Sequence, residues 1–447
     1  MSLGAFRLKK VVLVVSLLVL VSAGLVSCGL YNSKSYYKPP SGLVNRVLAS
    51  QGITSSFAFG GLIIVNGYND TLTRTAEISA GSNPGLMAES PTRNIVAAFD
   101  ASSNSVFSVD TVTEQGIGRV QLPGPTFSMV VPSAAQIGYA AVPTATVPGF
   151  SFIGAVDVMN LLGAVTTVIG VTNAQTVVSN STGTQLLVFS NDSDSITVLF
   201  PQAAVPPVDT SCNAPNNPTP NAVCVILPGF DRPVNAVIKG NNAYILNCGP
   251  QCGGVQASVM VLDLTSLTVT NTIPVDAATM AFLPATGPSV LYVAGTPPTN
   301  NACTGQTTAA TICGRLDIID LGSMAVTSSQ VITDGFHNRM DMSVNGQLFV
   351  GSYNCTNIGD VNNPSGEVRG CLSIFNTTTS TVLIPPDNGD VTGLQSFTSR
   401  NIEYVAQGGV LRVYDTTKNI LLINNFLPQG TINIVGKVTD IKAIDFF

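Results

Sequence analysis

Val259–Val275 reads VMVLDLTSLTVTNTIPV, and its pattern decides the fold. A run of β-branched and aliphatic residues ends at Asp263. The polar break Thr265-Ser266 follows, and Leu267 to Ile273 then alternates apolar residues with Thr and Asn. Such runs, bounded by an Asp and short polar residues, are strands joined by a tight turn. Val259 to Leu262 is apolar at consecutive positions, as expected of a strand covered on both faces. The stretch therefore belongs to a sheet lying between two neighbours.

Working outward, Ala243–Leu246 precedes this hairpin as a further strand and Ala278–Leu283 follows it, which gives a four-strand meander with strands A to D. A new unit opens at Val290–Ala294. Others open at Ile95–Ala98, Ile137–Ala140, Leu186–Phe189, Leu348–Gly351 and Glu403–Ala406, and a weaker first unit starts near Arg46-Val47-Leu48. Helical periodicity is almost absent. The units span approximately 43–94, 95–136, 137–185, 186–242, 243–289, 290–347, 348–402 and 403–447. Four-stranded units of about 40–58 residues point to an all-β, eight-bladed β-propeller of antiparallel blades. A blade has two apolar faces and cannot cover both alone, and closing a ring solves that problem. Seven blades is the alternative, because the first unit is weak. A pair of β-sandwiches would not require the same unit eight times.

An acidic marker recurs at the end of strand B, at Asp110, Asp157, Asp263, Asp320 and Asp415, with Asn66 and Asn376 in equivalent places. One per repeat is the distribution of a turn cap, whose side chain bonds backbone two residues onward. A catalytic set would converge on one point instead.

At Val259–Val275 and Val290–Gly295 (VLYVAG) the chain resembles the YVTN-type β-propeller repeat family. Partial matches surround Asp110 (VFSVDT), Asp320 (LDIIDL) and Asp415 (VLRVYDTT). The likeness spans roughly residues 43–447 and is strongest in the fifth and sixth repeats. It implies a seven- or eight-bladed propeller and leaves the chemistry open, since propellers serve as enzymes and as scaffolds.

The first residues carry an address. Arg7, Lys9 and Lys10 precede an apolar run from Val11 to Leu20 that continues to Gly24, the layout of a secretory signal peptide. The run ends in Leu25-Val26-Ser27-Cys28, which resembles a bacterial lipobox and implies acylation of Cys28 after removal of residues 1–27. Gly29 follows where an Asp would suggest inner-membrane retention, so the expectation is an outer-membrane lipoprotein, facing the periplasm or the cell surface. Residues 28–42, with Pro39-Pro40, read as a lipidated tether to the propeller at 43–447.

Composition narrows the function classes. The 447 residues include 10% charged residues, one His and no Trp, and mean hydropathy is +0.37. Such a chain has apolar residues enough for a large core and a surface of Ser, Thr, Asn and Gln. With 19 basic against 25 acidic residues, nucleic acid is not an expected partner. The expected partners are the membrane, through the lipid, and a protein or glycan met by a monomer.

Eight cysteines remain after Cys28, in four local couples: Cys212–Cys224, Cys248–Cys252, Cys303–Cys313 and Cys355–Cys371. An even count in an exported chain reads as disulfides, and neighbour pairing closes the least chain. Zinc at Cys248-Gly-Pro-Gln-Cys252 would need partner thiolates and a reducing compartment. The last three couples fall in A–B connections of repeats five to seven and should pin one polar rim, with Cys212–Cys224 on the opposite face. That rim is the candidate contact surface.

Other candidates are thinner. His337 could act as a general base oriented by Asp334 or Asp341, the arrangement of a lactonase-like hydrolase. No G-x-S-x-G elbow accompanies it. Asp360, Asn362, Gly366 and Glu367 offer oxygen ligands for calcium but lack EF-hand spacing, and ordinary turn chemistry explains them. The expected site list therefore holds Cys28 and the eight disulfide cysteines, with no catalytic residue, metal or cofactor.

Overall fold

The computed structural model describes residues 39–445 except 55–59, 133–135, 148–150, 165, 191, 202–209, 212–223, 288, 300–301, 304–311, 356–369, 386–388 and 426. The described residues form eight sheets, antiparallel except where the short strand Thr210–Ser211 adds in parallel to the outer edge of blade 3, and no α-helix. Seven are built in chain order from the centre outward. Blade 2 comprises Pro84–Glu89, Ile95–Asp100, Ser105–Asp110 and Gln115–Gln121; blade 3, Ser128–Val130, Ile137–Thr146, Ile153–Asn160 and Thr166–Gly170. Blade 4 comprises Ala174–Ser179, Leu186–Ser190, Ser195–Leu199 and Cys224–Pro228; blade 5, Pro233–Lys239, Asn242–Asn247, Ser258–Asp263 and Thr268–Pro274. Blade 6 comprises Met280–Phe282, Val290–Gly295, Gly314–Asp320 and Ala325–Ile332. Blade 7 comprises Phe336–Met342, Gln347–Tyr353, Leu372–Asn376 and Thr381–Leu383; blade 8, Val391–Ser396, Ile402–Gln407, Val410–Asp415 and Ile420–Leu421.

Blade 1 closes the ring. Its outer three strands, Asn45–Gly52, Gly61–Asn66 and Thr71–Ile78, come from the beginning of the described chain, and its inner strand, Lys437–Asp445, comes from the end. Each inner strand touches the inner strands of both neighbouring blades, so the eight enclose a central channel. The architecture is an eight-bladed β-propeller.

The core is divided among the blade interfaces. Eight clusters of buried apolar side chains each join two consecutive blades, including blades 8 and 1. The period of a strand explains the division. In blade 5, Ala243 and Ile245 pack toward blade 4, whereas Tyr244 and Leu246 pack toward blade 6. In VMVL, Val259 and Val261 face blade 6, and Met260 and Leu262 face blade 4. Full burial of such a side chain contributes about 1.5–3 kcal/mol. Consecutive apolar residues thus serve two cores at once.

The turns between third and outer strands confirm the capping role and correct one assignment. Asp110 Oδ1 accepts from Val112 N at 2.7 Å, Asp263 Oδ1 from Ser266 N at 2.7 Å, Asp320 Oδ2 from Ser323 N at 3.0 Å and Asp415 Oδ1 from Thr417 N at 2.9 Å. Asn66 and Asn376 do the same. Asp157 does not cap. It is buried within its strand opposite Ala140, and Asn160 takes the turn, accepting from Leu162 N at 3.1 Å. In six of these turns the fourth residue after the cap (Asp70, Glu114, Leu267, Met324, Ser380 or Asn419) has a left-handed φ between 52° and 59°. That conformation reverses the chain within one short loop.

The repeat unit is also displaced by one strand from the sequence reading. Strand A there is the second strand of a blade, and strand D is the inner strand of the next: Met280–Phe282 pairs with Val290–Gly295 rather than with the sheet before it. Inner strands border the channel, so their pattern is partly polar and their unit is hard to assign from periodicity.

Candidate functional site

Strand order fixes two faces. Connections from second to third strand and from outer strand to the next inner strand share one face; the others share the opposite one. Three disulfides lie on the first face: Cys248–Cys252 in blade 5, Cys303–Cys313 in blade 6 and Cys355–Cys371 in blade 7. The A–B connections expected to carry them are thus second-to-third connections, but their shared face stands. Cys224 opens the outer strand of blade 4, on the route from Leu199, and is itself disulfide-bonded. Its expected partner Cys212 lies outside the described residues, as do Cys28 and the calcium candidates Asp360, Asn362, Gly366 and Glu367.

The disulfide loop of blade 5 is bound to its neighbours. Gly249–Cys252 forms one 3-10 turn; Gln251 Oε1 accepts from Thr296 N at 2.8 Å, and its Nε2 donates to the Gly335 carbonyl at 3.3 Å. Thr296 Oγ1 donates to that same carbonyl at 2.8 Å. Asp231 accepts from Val255 N and Gln256 N. Blades 5, 6 and 7 are therefore joined at this face by polar contacts as well as by their cores.

The channel opens on the same face as a cavity of about 980 Å³. Every inner strand contributes to its wall, and six do so through a β-bulge. Pairing slips between Pro84 and Met87, Ala174 and Thr176, Pro233 and Asn235, His337 and Arg339, Val391 and Gly393, and opposite Ala49–Gln51. The residues left over include Leu86, Gln175, Val234, Asn338, Thr392 and Thr439, and all six line the cavity. A bulge re-aims a side chain and frees backbone groups from the ladder. At the mouth, the Phe336 and Tyr353 rings lie 5.3 Å apart, Phe127 is 79% exposed, and Arg232 Nε is 3.7 Å from Asp194 Oδ1.

His337 stands in the inner strand of blade 7 and is fully buried. Its Nε2 lies 2.9 Å from the Thr333 carbonyl, and Nδ1 has no hydrogen-bond partner. Nε2 therefore carries the proton of a neutral ring, and burial holds its pKa at about 4 against the weaker pull of the Thr333 carbonyl. Neither Asp334 nor Asp341 orients it. Asp341 lies four residues along the strand, about 13 Å away at strand spacing, and accepts from Ser396 N and Met342 N.

Arg339, two residues beyond, went unremarked in the sequence. Its Nε donates to the Thr392 carbonyl at 2.8 Å and its Nη1 to the Asn338 carbonyl at 2.9 Å. It lies two residues from His337 in the sequence, but only pairing register shows that both acceptors are bulge residues. Toward the other end of the channel, burial pushes the carboxyls of Glu403, Asp341 and Glu89 upward, and the proximity of Asp341 adds to the rise at Glu403. Among the described residues no group of three or more His, Cys, Asp or Glu is arranged to hold a metal, and no helix is long and apolar enough to cross a membrane.

No family model matches the chain, and no curated protein matches it. Solved structures do. Dihydro-heme d1 dehydrogenase NirN in complex with DHE is 13% identical with a TM-score of 0.56, covering 90% of this chain and 75% of that one. The Dos1 propeller is 11% identical with a TM-score of 0.52, covering 80% and 85%. A Pseudomonas aeruginosa periplasmic gluconolactonase, PpgL, is 15% identical with a TM-score of 0.44, covering 89% and 98%. At these identities the likeness is one of fold.

Proposed function

We propose that this chain is a lipid-anchored, extracytoplasmic binding module of the YVTN-type propeller kind, held to the outer membrane through Cys28, and that it meets a protein or glycan on the disulfide-bearing face. One observation carries the reading: three disulfide loops from successive blades share the face on which the central cavity opens. Loops on a rigid scaffold are where binding concentrates, and the short covalent loops limit the entropy lost on contact. A buried, neutral His337 without a carboxylate partner lends no support to the hydrolase alternative.

Chemical crosslinking on cells that carry the full chain, with and without residues 356–370, tests the contact face. Crosslinks lost while the β-sheet circular dichroism spectrum persists support it. An unchanged partner profile defeats it. Incorporation of an alkynyl fatty acid that vanishes in Cys28→Ser tests the anchor. Turnover of any member of a lactone panel that His337→Ala abolishes would move the assignment to a hydrolase.

A further inference from the structure

We infer that the central cavity binds a small organic anion, and that Arg339 receives its oxyanion, a carboxylate or a phosphate. This deepens the binding reading by naming what the channel takes.

The guanidinium is oriented without being neutralised. Its two acceptors, the carbonyls of Asn338 and Thr392, belong to bulge residues of blades 7 and 8. Bulges leave such groups outside the strand ladder, free for another donor. A neutral carbonyl fixes the direction of a guanidinium and leaves its full positive charge. Among the described residues Arg339 makes no ion pair, and its Nη2 has no hydrogen-bond partner. Nη2 and the second N–H of Nη1 form a parallel pair of donors, the fork that carboxylates and phosphates accept bidentately.

The rest of the wall fits an organic body on that anion. Arg232, the other cation on the wall, stands 3.7 Å from Asp194 Oδ1, whereas Arg339 has no carboxylate partner among the described residues. Around it stand apolar and aromatic groups, among them Val234, Met280 and the Phe336–Tyr353 pair. The volume lies at the upper end of the roughly 300–1,000 Å³ typical of small-molecule sites. Because the chain is net negative, its overall field does not collect anions, so selection falls to this local fork.

The test titrates the purified protein calorimetrically with benzoate, gluconate and glucose 6-phosphate, each beside its neutral counterpart: benzamide for benzoate, glucose for the other two. Binding of at least one anion, with its counterpart inert and affinity about tenfold or more weaker in Arg339→Gln, supports the inference. Which anions bind separates carboxylate from phosphate. Should the variant fail to fold, wild type decides through phenylglyoxal modification of Arg339 read by mass spectrometry: protection by the bound anion supports the site. Absence of binding by every anion at about 10 mM, equal affinity in a folded variant, or modification indifferent to the anion overturns it. None of these failures touches the loop-face reading, whose crosslinking readout is independent of the channel.

Discussion

Arg400 holds Asp70 with two parallel hydrogen bonds, Nη1 to Oδ1 and Nη2 to Oδ2, each 2.7 Å. The two residues are 330 positions apart in the chain and join blade 8 to blade 1, beside the seam where the ring closes. Tyr404 donates its hydroxyl to the same carboxylate, and Arg400 Nη1 also reaches the Gly67 carbonyl at 2.6 Å. Asp70 is 2% exposed, so removing its cation leaves a buried charge. Arg400→Met is expected to destabilise the protein by about 3 kcal/mol, read as a fall in denaturation midpoint. The double variant with Asp70→Asn should recover part of that loss, and additive losses would show that the pair is not coupled.

The same seam depends on a glycine. A Cβ on Gly67 would meet the Phe397 ring, which is fully buried between blades 8 and 1. Gly67→Ala should cost about 1–3 kcal/mol by overpacking. Gly67→Ala combined with Phe397→Leu should cost less than the sum of the two single changes. A glycine variant as stable as wild type would mean that the seam yields freely.

His337 links stability to acid. Its folded pKa of about 4 lies below the ordinary 6.5, so the unfolded chain takes up the proton first as pH falls. The contribution is complete above pH 6.5 and is lost by about pH 4, at most about 3 kcal/mol. Asp317 acts in the opposite sense, since burial raises it to about 6 and favours the folded state at low pH. Comparison with His337→Gln isolates the histidine. Wild type should lose more stability than the variant between pH 7 and pH 4.5, and parallel melting curves across that range would contradict the assignment.

The repeated left-handed turn position offers a gain. Ser380 sits there with φ 56° and is exposed, whereas its counterpart Asn419 is the residue type that tolerates this conformation. Ser380→Asn should raise stability by about 0.5 kcal/mol, with circular dichroism unchanged. A lower melting temperature would show that Ser380 contributes contacts beyond its turn.

The eight-fold repeat was legible because second and third strands each feed two interfacial cores and so read as unbroken apolar runs, as at Val259–Leu262. Their phase was not. The inner strands of blades 3 and 6 span only Ser128–Val130 and Met280–Phe282, and bulges break the alternation in others. The local cysteine couples could be paired from spacing alone, and three are found joined. Asp157 misled because an acidic residue three positions before the true cap, Asn160, matched the marker by type. The cavity could not be read at all, since it takes one or a few residues from each blade and becomes a site only when the ring closes.

The origin of the inner strand of blade 1 sets an order of events in the cell. Ser50 bonds Asp440 across 390 positions, so the pairing edge of Asn45–Gly52 waits for a segment translated after every other strand. While the chain folds, this edge is an open template, able to recruit a second nascent copy or a chaperone. A premature stop anywhere before Lys437 would leave that template permanently bare, so truncated products should be marked for proteolysis by the same feature that makes the finished ring hard to open.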